Sequence, residues 1–415
     1  MTAWSPDWKL TVAGVDYTDI AISDIAHQAG RSDIYQQPNP SYIQVSFVAL
    51  SGQTLPFDIN DSLSLQVKNS AGTYVNLFGG DITDLTVSVQ QTGGIATVVE
   101  YSVLAMGSLV KLAKELYSGT ISQDEDGNQI YDLLSSVLLG TWNDVPAAST
   151  WATYSATETW ANALNLGLGE IDTPGLYTME NRAAQVDTIY NIASIIANSA
   201  FGYLYEDNEG NIGYADADHR QNYLLTNGYV DLDARHALGP GLSTITRSGD
   251  IRNDIIINYG SNFNQEKTAT SASSIALYGY KAESIQSTIH SAVDAQAVAD
   301  RYIAQRAFPQ PAFQSITFPI TNPEIDNSDR DNLLGVFMGQ PLNIQNLPAQ
   351  ISTGEFEGYV EGWSWSTRFN ELFLTLNLSP VAYSQVAMRW NTTPIGEAWN
   401  TLSTTLTWEY ATIVS

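Results

Sequence analysis

The residues best equipped for chemistry gather around one short stretch. Glu206-Asp-Asn-Glu209 and Asp216-Ala-Asp218-His219-Arg220 place five carboxylates and one histidine about a hairpin-like segment. Paired carboxylates carry out general acid–base hydrolysis when one is protonated and the other ionised. Sequence spacing sets neither their separation nor their burial, so solvated hairpin charge is the expected state. Asp124-Glu-Asp-Gly-Asn128 has oxygen ligands at alternate positions, like the start of a calcium loop. However, Gln129 stands where the sharp-turn glycine belongs, and Ser135 where the bidentate glutamate belongs. An acidic turn leading into a helix fits better, with Asp and Asn accepting from free helix N–H groups.

Other chemistries have little to work with. Cysteine is absent, which removes thiol catalysis, disulfides, zinc fingers and iron–sulfur clusters together. The four histidines, His27, His219, His236 and His290, are not at helical ligand spacing. No Gly-x-Ser-x-Gly elbow, phosphate loop or His-Glu-x-x-His occurs. Gly79-Gly80 and Gly93-Gly94 read as strand turns. No catalytic residue, cofactor or metal ligand is therefore expected, and the chain does not read as an enzyme.

Tryptophan supplies the other conspicuous pattern. Trp142, Trp151 and Trp160 are nine residues apart, as are Trp390, Trp399 and Trp408. Trp-Asn-x-x-Pro opens both segments, and Trp-x-Thr-x-Ser-x-Thr-x-Thr-Trp recurs at 151–160 and 399–408. A repeat of this length implies a shared structure. Alternation would put Trp151, Thr153, Ser155, Thr157 and Thr159 on one strand face. Such rings suit packing on neighbouring β structure or on a partner protein, or else stacking on a glycan.

The elements that must position these residues are mainly strands. From Trp8 to Tyr101, and again from Leu242 to Ser379, short alternating segments are cut by Gly, Pro, Asn and Asp. Leu372, Leu374, Leu376 and Leu378 fall on one sheet face. Helical spacing predicts helices over 104–117, 128–139, 182–200 and 292–306, and Gly202 to Tyr214 reads as a β-hairpin turning near Asn208–Gly210. The expected fold class is α+β, mainly β. A first β domain spans 1–118 and a mixed α+β middle with the first Trp copy spans 119–241. A second β domain with an inserted helix follows at 242–385, and a Trp-rich β extension at 386–415.

With 415 residues, two to four domains are expected. Seventeen Lys and Arg against 44 Asp and Glu give a net charge of -27, which argues against binding nucleic acid by phosphate neutralisation. No apolar run reaches the length of a membrane span, and Met1 to Asp7 lacks the pattern of a signal peptide.

Several stretches together resemble the tail hub proteins of long-tailed bacteriophages. They are Trp8-Lys-Leu-Thr-Val-Ala-Gly-Val-Asp-Tyr-Thr-Asp, Gly30-Arg-Ser-Asp, Leu77-Phe-Gly-Gly-Asp-Ile-Thr-Asp and Tyr101-Ser-Val-Leu-Ala-Met-Gly-Ser-Leu-Val-Lys-Leu. The Gly202–Tyr214 hairpin, Ile251-Arg-Asn-Asp-Ile-Ile-Ile-Asn-Tyr, Met338-Gly-Gln-Pro-Leu-Asn-Ile, Leu347-Pro and Phe356-Glu-Gly-Tyr-Val-Glu-Gly-Trp continue the likeness. It runs from about residue 8 to 380 and rests on order and spacing; the second Trp segment lies outside it.

The resemblance implies two tube-like β-barrel domains per chain and a homotrimer closing a pseudo-sixfold ring at the distal end of the virion tail. The implied partners are a distal tail ring protein, the tape-measure protein and a central fibre or spike, with DNA only in transit. An acidic lumen would let DNA pass without holding it. The alternatives are a glycan-binding tail protein using the six repeat tryptophans and, further off, a tail-associated cell-wall hydrolase using Asp216 and Asp218.

Overall fold

The computed structural model describes residues 4–50, 54–92, 97–138, 168–239, 242–313, 315–351, 354–368 and 371–384. The fold is α+β and mainly β. Its largest element is a 12-stranded sheet drawn from both ends of the chain. In spatial order it runs Val230–Asp233, Pro341–Gln345, Phe356–Arg368, Ile20–Gly30, Tyr42–Ala49, Thr97–Met106, Tyr74–Thr92, Ser62–Lys68, Trp8–Val12 and Val15–Tyr17. Glu371–Pro380 also pairs with Phe356–Arg368 and carries Ile316–Pro319 on its other side.

Alternation builds this sheet, as the pattern of apolar residues requires. Leu372, Leu374 and Leu376 are fully buried and Leu378 nearly so, while Leu63, Leu65 and Val67 do the same in the first half. The two halves join where Ile20–Gly30 lies antiparallel to Phe356–Arg368, with Gly362 opposite Gly30, Trp363 opposite Ala29 and Trp365 opposite His27. Gly30 has φ +76°, and a Cβ on it would sit 2.3 Å from the Glu361 carbonyl oxygen, so the seam demands glycine here. One hydrophobic core runs beneath both halves.

A second core belongs to the middle of the chain. It packs the helices Leu109–Lys114, Asp126–Leu138, Ile189–Ser199 and Ala292–Arg306 with the sheet formed by Asp254–Tyr259, Gln265–Thr270 and Ala282–Gln286. Residues 254–306, expected with the second β domain, therefore pack with the middle instead. Two helices are shorter than the spacing predicts. Leu104–Met106 stay in the strand Thr97–Met106 because they pair on both sides, so that helix begins only at Leu109. The next begins at Ile189, where the Thr188 hydroxyl accepts from the Asn191 N–H at 3.2 Å and Val186 is left exposed. The Ala292–Arg306 helix has its expected bounds, capped by Ser291 accepting from the Asp294 N–H.

The hairpin of Tyr203–Glu206 and Ile212–Ala215 lies between the two cores. Tyr203, Tyr205 and Ala215 face the sheet core, whereas Leu204, Ile212 and Tyr214 face the middle core. All eight strand residues are consequently buried. Its turn presses so closely on the long strand Tyr74–Thr92 that a Cβ on Gly79 would be 2.3 Å from the Glu209 carbonyl oxygen. Gly79-Gly80 therefore lies inside a strand, not at a turn, and its small size admits the hairpin.

Candidate functional site at the seam of the β halves

Of the hairpin charges expected in solvent, Glu206, Asp207, Asp216, His219 and Arg220 lie inside, Asp218 is half-buried, and Glu209 at the turn is exposed as expected. The reason is that both hairpin faces are covered. Each buried carboxylate then needs hydrogen-bond donors, and each finds them. Glu206 accepts from the Ser41 N–H at 2.7 Å and from the Leu109 N–H, tying the first β half to the start of a middle helix. Asp207 accepts from the backbone N–H of Glu209 and of Asn211, both at 2.8 Å, and closes the turn around Gly210. Burial pushes Asp207 up to about 7.

Next along the chain, Asp216 Oδ1 accepts from the N–H groups of Asp218 and His219, both at 2.9 Å. Asp172 Oδ2 accepts from the Asp216 N–H at 2.9 Å and lies 2.7 Å from His219 Nδ1. Burial pushes Asp172 up to about 8 and Asp216 up to about 7, with Asp126 raising Asp172 and Asp172 raising Asp216 further, and it draws His219 down to about 4. Burial thus disfavours the charged form of both partners in the Asp172–His219 contact. Asp218 forms an ion pair with Arg301. Of the two carboxylates of the hydrolase alternative, Asp216 holds the entry to the His219–Asn227 helix, while Asp218 makes no capping bond there and is paired with Arg301.

The strongest charges lie at the seam itself. Arg31, just after the Ile20–Gly30 strand, places Nε 2.7 Å from Glu361 Oε2. Arg220 grips the same carboxylate from the helix, with Nη1 2.6 Å from Oε1 and Nη2 2.9 Å from Oε2. Burial alone would raise the Glu361 carboxyl, but Arg220 and Arg31 outweigh it and hold it well below the ordinary carboxylate range. Both guanidiniums also lie over the Tyr203 ring, at 4.5 and 5.2 Å. The triad therefore bolts together the first β half, the second β half and the helix that follows the hairpin. No charge pattern in the sequence pointed to it. Its strand members do fall within Gly30-Arg-Ser-Asp and Phe356-Glu-Gly-Tyr-Val-Glu-Gly-Trp, two of the stretches that carry the resemblance.

In place of the expected acidic turn, Asp124–Glu125 is a short strand that pairs with Thr178–Met179 and runs directly into the Asp126–Leu138 helix. Asp124 Oδ1 accepts from the Glu125 N–H and the Asn128 side chain, while Asp126 accepts from the N–H groups of Leu176 and Tyr177 and from the Tyr214 hydroxyl. The six repeat tryptophans, Trp142, Trp151, Trp160, Trp390, Trp399 and Trp408, lie outside the described residues.

No protein-family model and no curated protein matches the chain. Solved structures do. A 43 kDa tail protein of prophage MuSo2 from Shewanella oneidensis is similar with a TM-score of 0.52 at 10% identity, over 91% of this chain and 99% of that one. A tail protein from Neisseria meningitidis is similar with a TM-score of 0.57 at 10% identity, over 92% of this chain and 98% of that one. At such identity the likeness speaks for the fold alone, and the fold is that of phage tail proteins.

Proposed function

We propose that the protein is the structural hub of a bacteriophage tail tip, a virion component at the distal end of the tail. In this reading three copies close a ring that imitates sixfold symmetry. The observation that carries it is the seam: strands from the two halves of one chain pair into a single sheet, Gly30 opposite Gly362, so each subunit contributes two linked β arcs. Three such subunits present six arcs, which can match a hexameric ring above and a threefold fibre or spike below.

Other features agree with this reading. The long hairpin of Tyr74–Thr92 and Thr97–Met106 carries Val87 and Val89 at 53% and 55% exposure, apolar side chains placed where a neighbouring subunit could cover them. The net charge of -27 suits a channel that DNA crosses without adhering, a repulsion that acts over about 8 Å at physiological salt. The buried carboxylates are engaged in structural bonds, in keeping with a non-enzymatic role. The partners of such a hub would be a distal tail ring protein, the tape-measure protein and the fibre or spike.

Particle imaging of the purified full chain tests the proposal. A threefold ring with a central opening is expected, and Val87→Asp together with Val89→Asp should shift the chain toward smaller species. Particles that remain compact monomers at every concentration, or rings without a threefold axis, would overturn it.

A further inference from the structure

A cavity of about 310 Å³ opens beside the seam, and its lining is unusual for so acidic a chain. Four of the 17 basic residues, Arg31, Arg220, Arg301 and Arg306, border it. Three of them are already engaged: Arg31 and Arg220 with Glu361, and Arg301 with Asp218. Arg306 is different. It is 3% exposed, yet among the described residues no carboxylate lies within ion-pair distance of it, and its Nε and Nη1 are buried without a hydrogen-bond partner. Arg301 Nη1 and Arg220 Nε are left in the same state.

A buried guanidinium without an anion is costly, because its five N–H donors lose water and gain nothing. Some compensation is visible. Arg306 closes the Ala292–Arg306 helix, where the dipole favours a cation, and it lies over the rings of Tyr383 at 4.4 Å and Tyr35 at 5.3 Å. Rings compensate charge but accept no N–H bonds along the guanidinium plane. The two rings pack against the guanidinium, and because Arg306 borders the cavity, a small side-chain shift would bring its unpartnered Nε and Nη1 to a ligand there.

No acidic group among the described residues fills the gap by direct pairing: Asp250 feels Arg306 through space but lies beyond ion-pair distance. Glu283 lines the cavity but pairs with Arg252, and Asp216 has its Oδ1 occupied by backbone N–H groups and acts on Arg301 only through space. Glu361 is shared by two arginines, so the Arg31–Glu361–Arg220 cluster itself carries one excess positive charge. The cavity is thus positive within a chain of net charge -27.

We infer that this cavity is an oxyanion-binding site in which Arg306, packed against the Tyr35 and Tyr383 rings, is the principal ligand and Arg301 and Arg220 supply further donors. A carboxylate or a phosphate fits, since either offers paired oxygens to a planar guanidinium edge. The source is a dissolved phosphate or a carboxylate presented by a polypeptide. The inference does not depend on the ring.

Calorimetric titration of the full chain tests it, using inorganic phosphate and N-acetylaspartate amide as probes and sodium chloride at matched ionic strength as reference. Saturable binding of one oxyanion with chloride inert is expected. Tighter binding of phosphate identifies a dissolved ion, and tighter binding of the aspartate derivative identifies a polypeptide carboxylate. Arg306→Lys should weaken the response by about tenfold or more, because the fork geometry is lost, and Arg306→Met should abolish it. Responses to both probes that equal that of chloride in the unmodified chain would overturn the inference even if the variants fail to fold. So would full binding by a folded Arg306→Met chain.

Discussion

Arg31 and Glu361 are 330 residues apart in sequence and 2.7 Å apart in space, at the point where the two halves of the sheet meet. Arg220 closes the group from a helix belonging to neither strand. The arrangement satisfies the carboxylate so fully that its loss should cost more than an ordinary ion pair.

Glu361→Gln leaves two guanidiniums buried beside one another without a counter-charge. Breaking a buried pair by removing one partner costs about 3–5 kcal/mol, and urea unfolding should read a loss of that size. Replacing Arg31 by Met in the same chain should recover part of it, because one unpaired cation is then gone. The acid response has the same origin. Glu361 has a depressed folded pKa, so its contribution is present above the ordinary glutamate range and lost as pH falls through the folded value. Glu361→Gln stability equal to that of the unmodified chain would show that the triad is incidental.

A second expectation concerns the window from pH 6.5 to 8. Asp207 and Asp216 are raised to about 7 and Asp172 to about 8 by burial, so each favours folding while protonated and loses that contribution as pH rises through its folded value. The buried histidines, His219 at about 4 and His27 at about 3, act in the opposite sense, but mainly below their unfolded value near 6.5. Between pH 6.5 and 8 the opposing histidine contribution fades and the three carboxyls outweigh it. The urea midpoint should therefore fall across that interval, and Asp172→Asn should flatten the fall. A midpoint that climbs from pH 6.5 to 8 would contradict the burial of these groups.

Glycine substitutions separate strain from crowding. Gly72 has φ +85° with open space around its Cβ position, so Gly72→Ala should cost only the left-handed penalty of about 1–2 kcal/mol. Gly30 has nearly the same φ, but its Cβ would strike the Glu361 carbonyl and the Gly362 Cα. Gly30→Ala should exceed Gly72→Ala by about 1–3 kcal/mol in chemical denaturation, the cost of forcing the seam apart. Equal losses at the two sites would mean that the strands are not in close contact at Gly30.

Much of the local structure was legible because its signals are local. The leucine alternation at 372–378, the helix at 292–306 and the hairpin near Asn208 each follow from spacing that one strand or helix imposes by itself. Helix starts were misplaced where a strand outbid the helical period, as at Leu104, which pairs on both sides. The phage-tail fold, too, was visible in the order of short motifs, two of which contain Arg31 and Glu361.

The sequence by itself determined element types, the lack of thiol chemistry and an acidic balance, since these depend on composition and near-neighbour periodicity. Only the tertiary structure decided that Glu206, Asp207, Asp216, His219 and Arg220 are buried: the apolar runs Tyr203–Tyr205 and Ile212–Ala215 suit strands covered on both faces, but local spacing does not say what covers the flanking charges. It alone paired residue 31 with residue 361 and moved 254–306 into the middle core, since contacts across hundreds of residues leave no trace in local spacing. Arg306 shows the same limit: a helix-ending arginine is ordinary until two tyrosines from distant segments pack on it and no carboxylate among the described residues pairs with it.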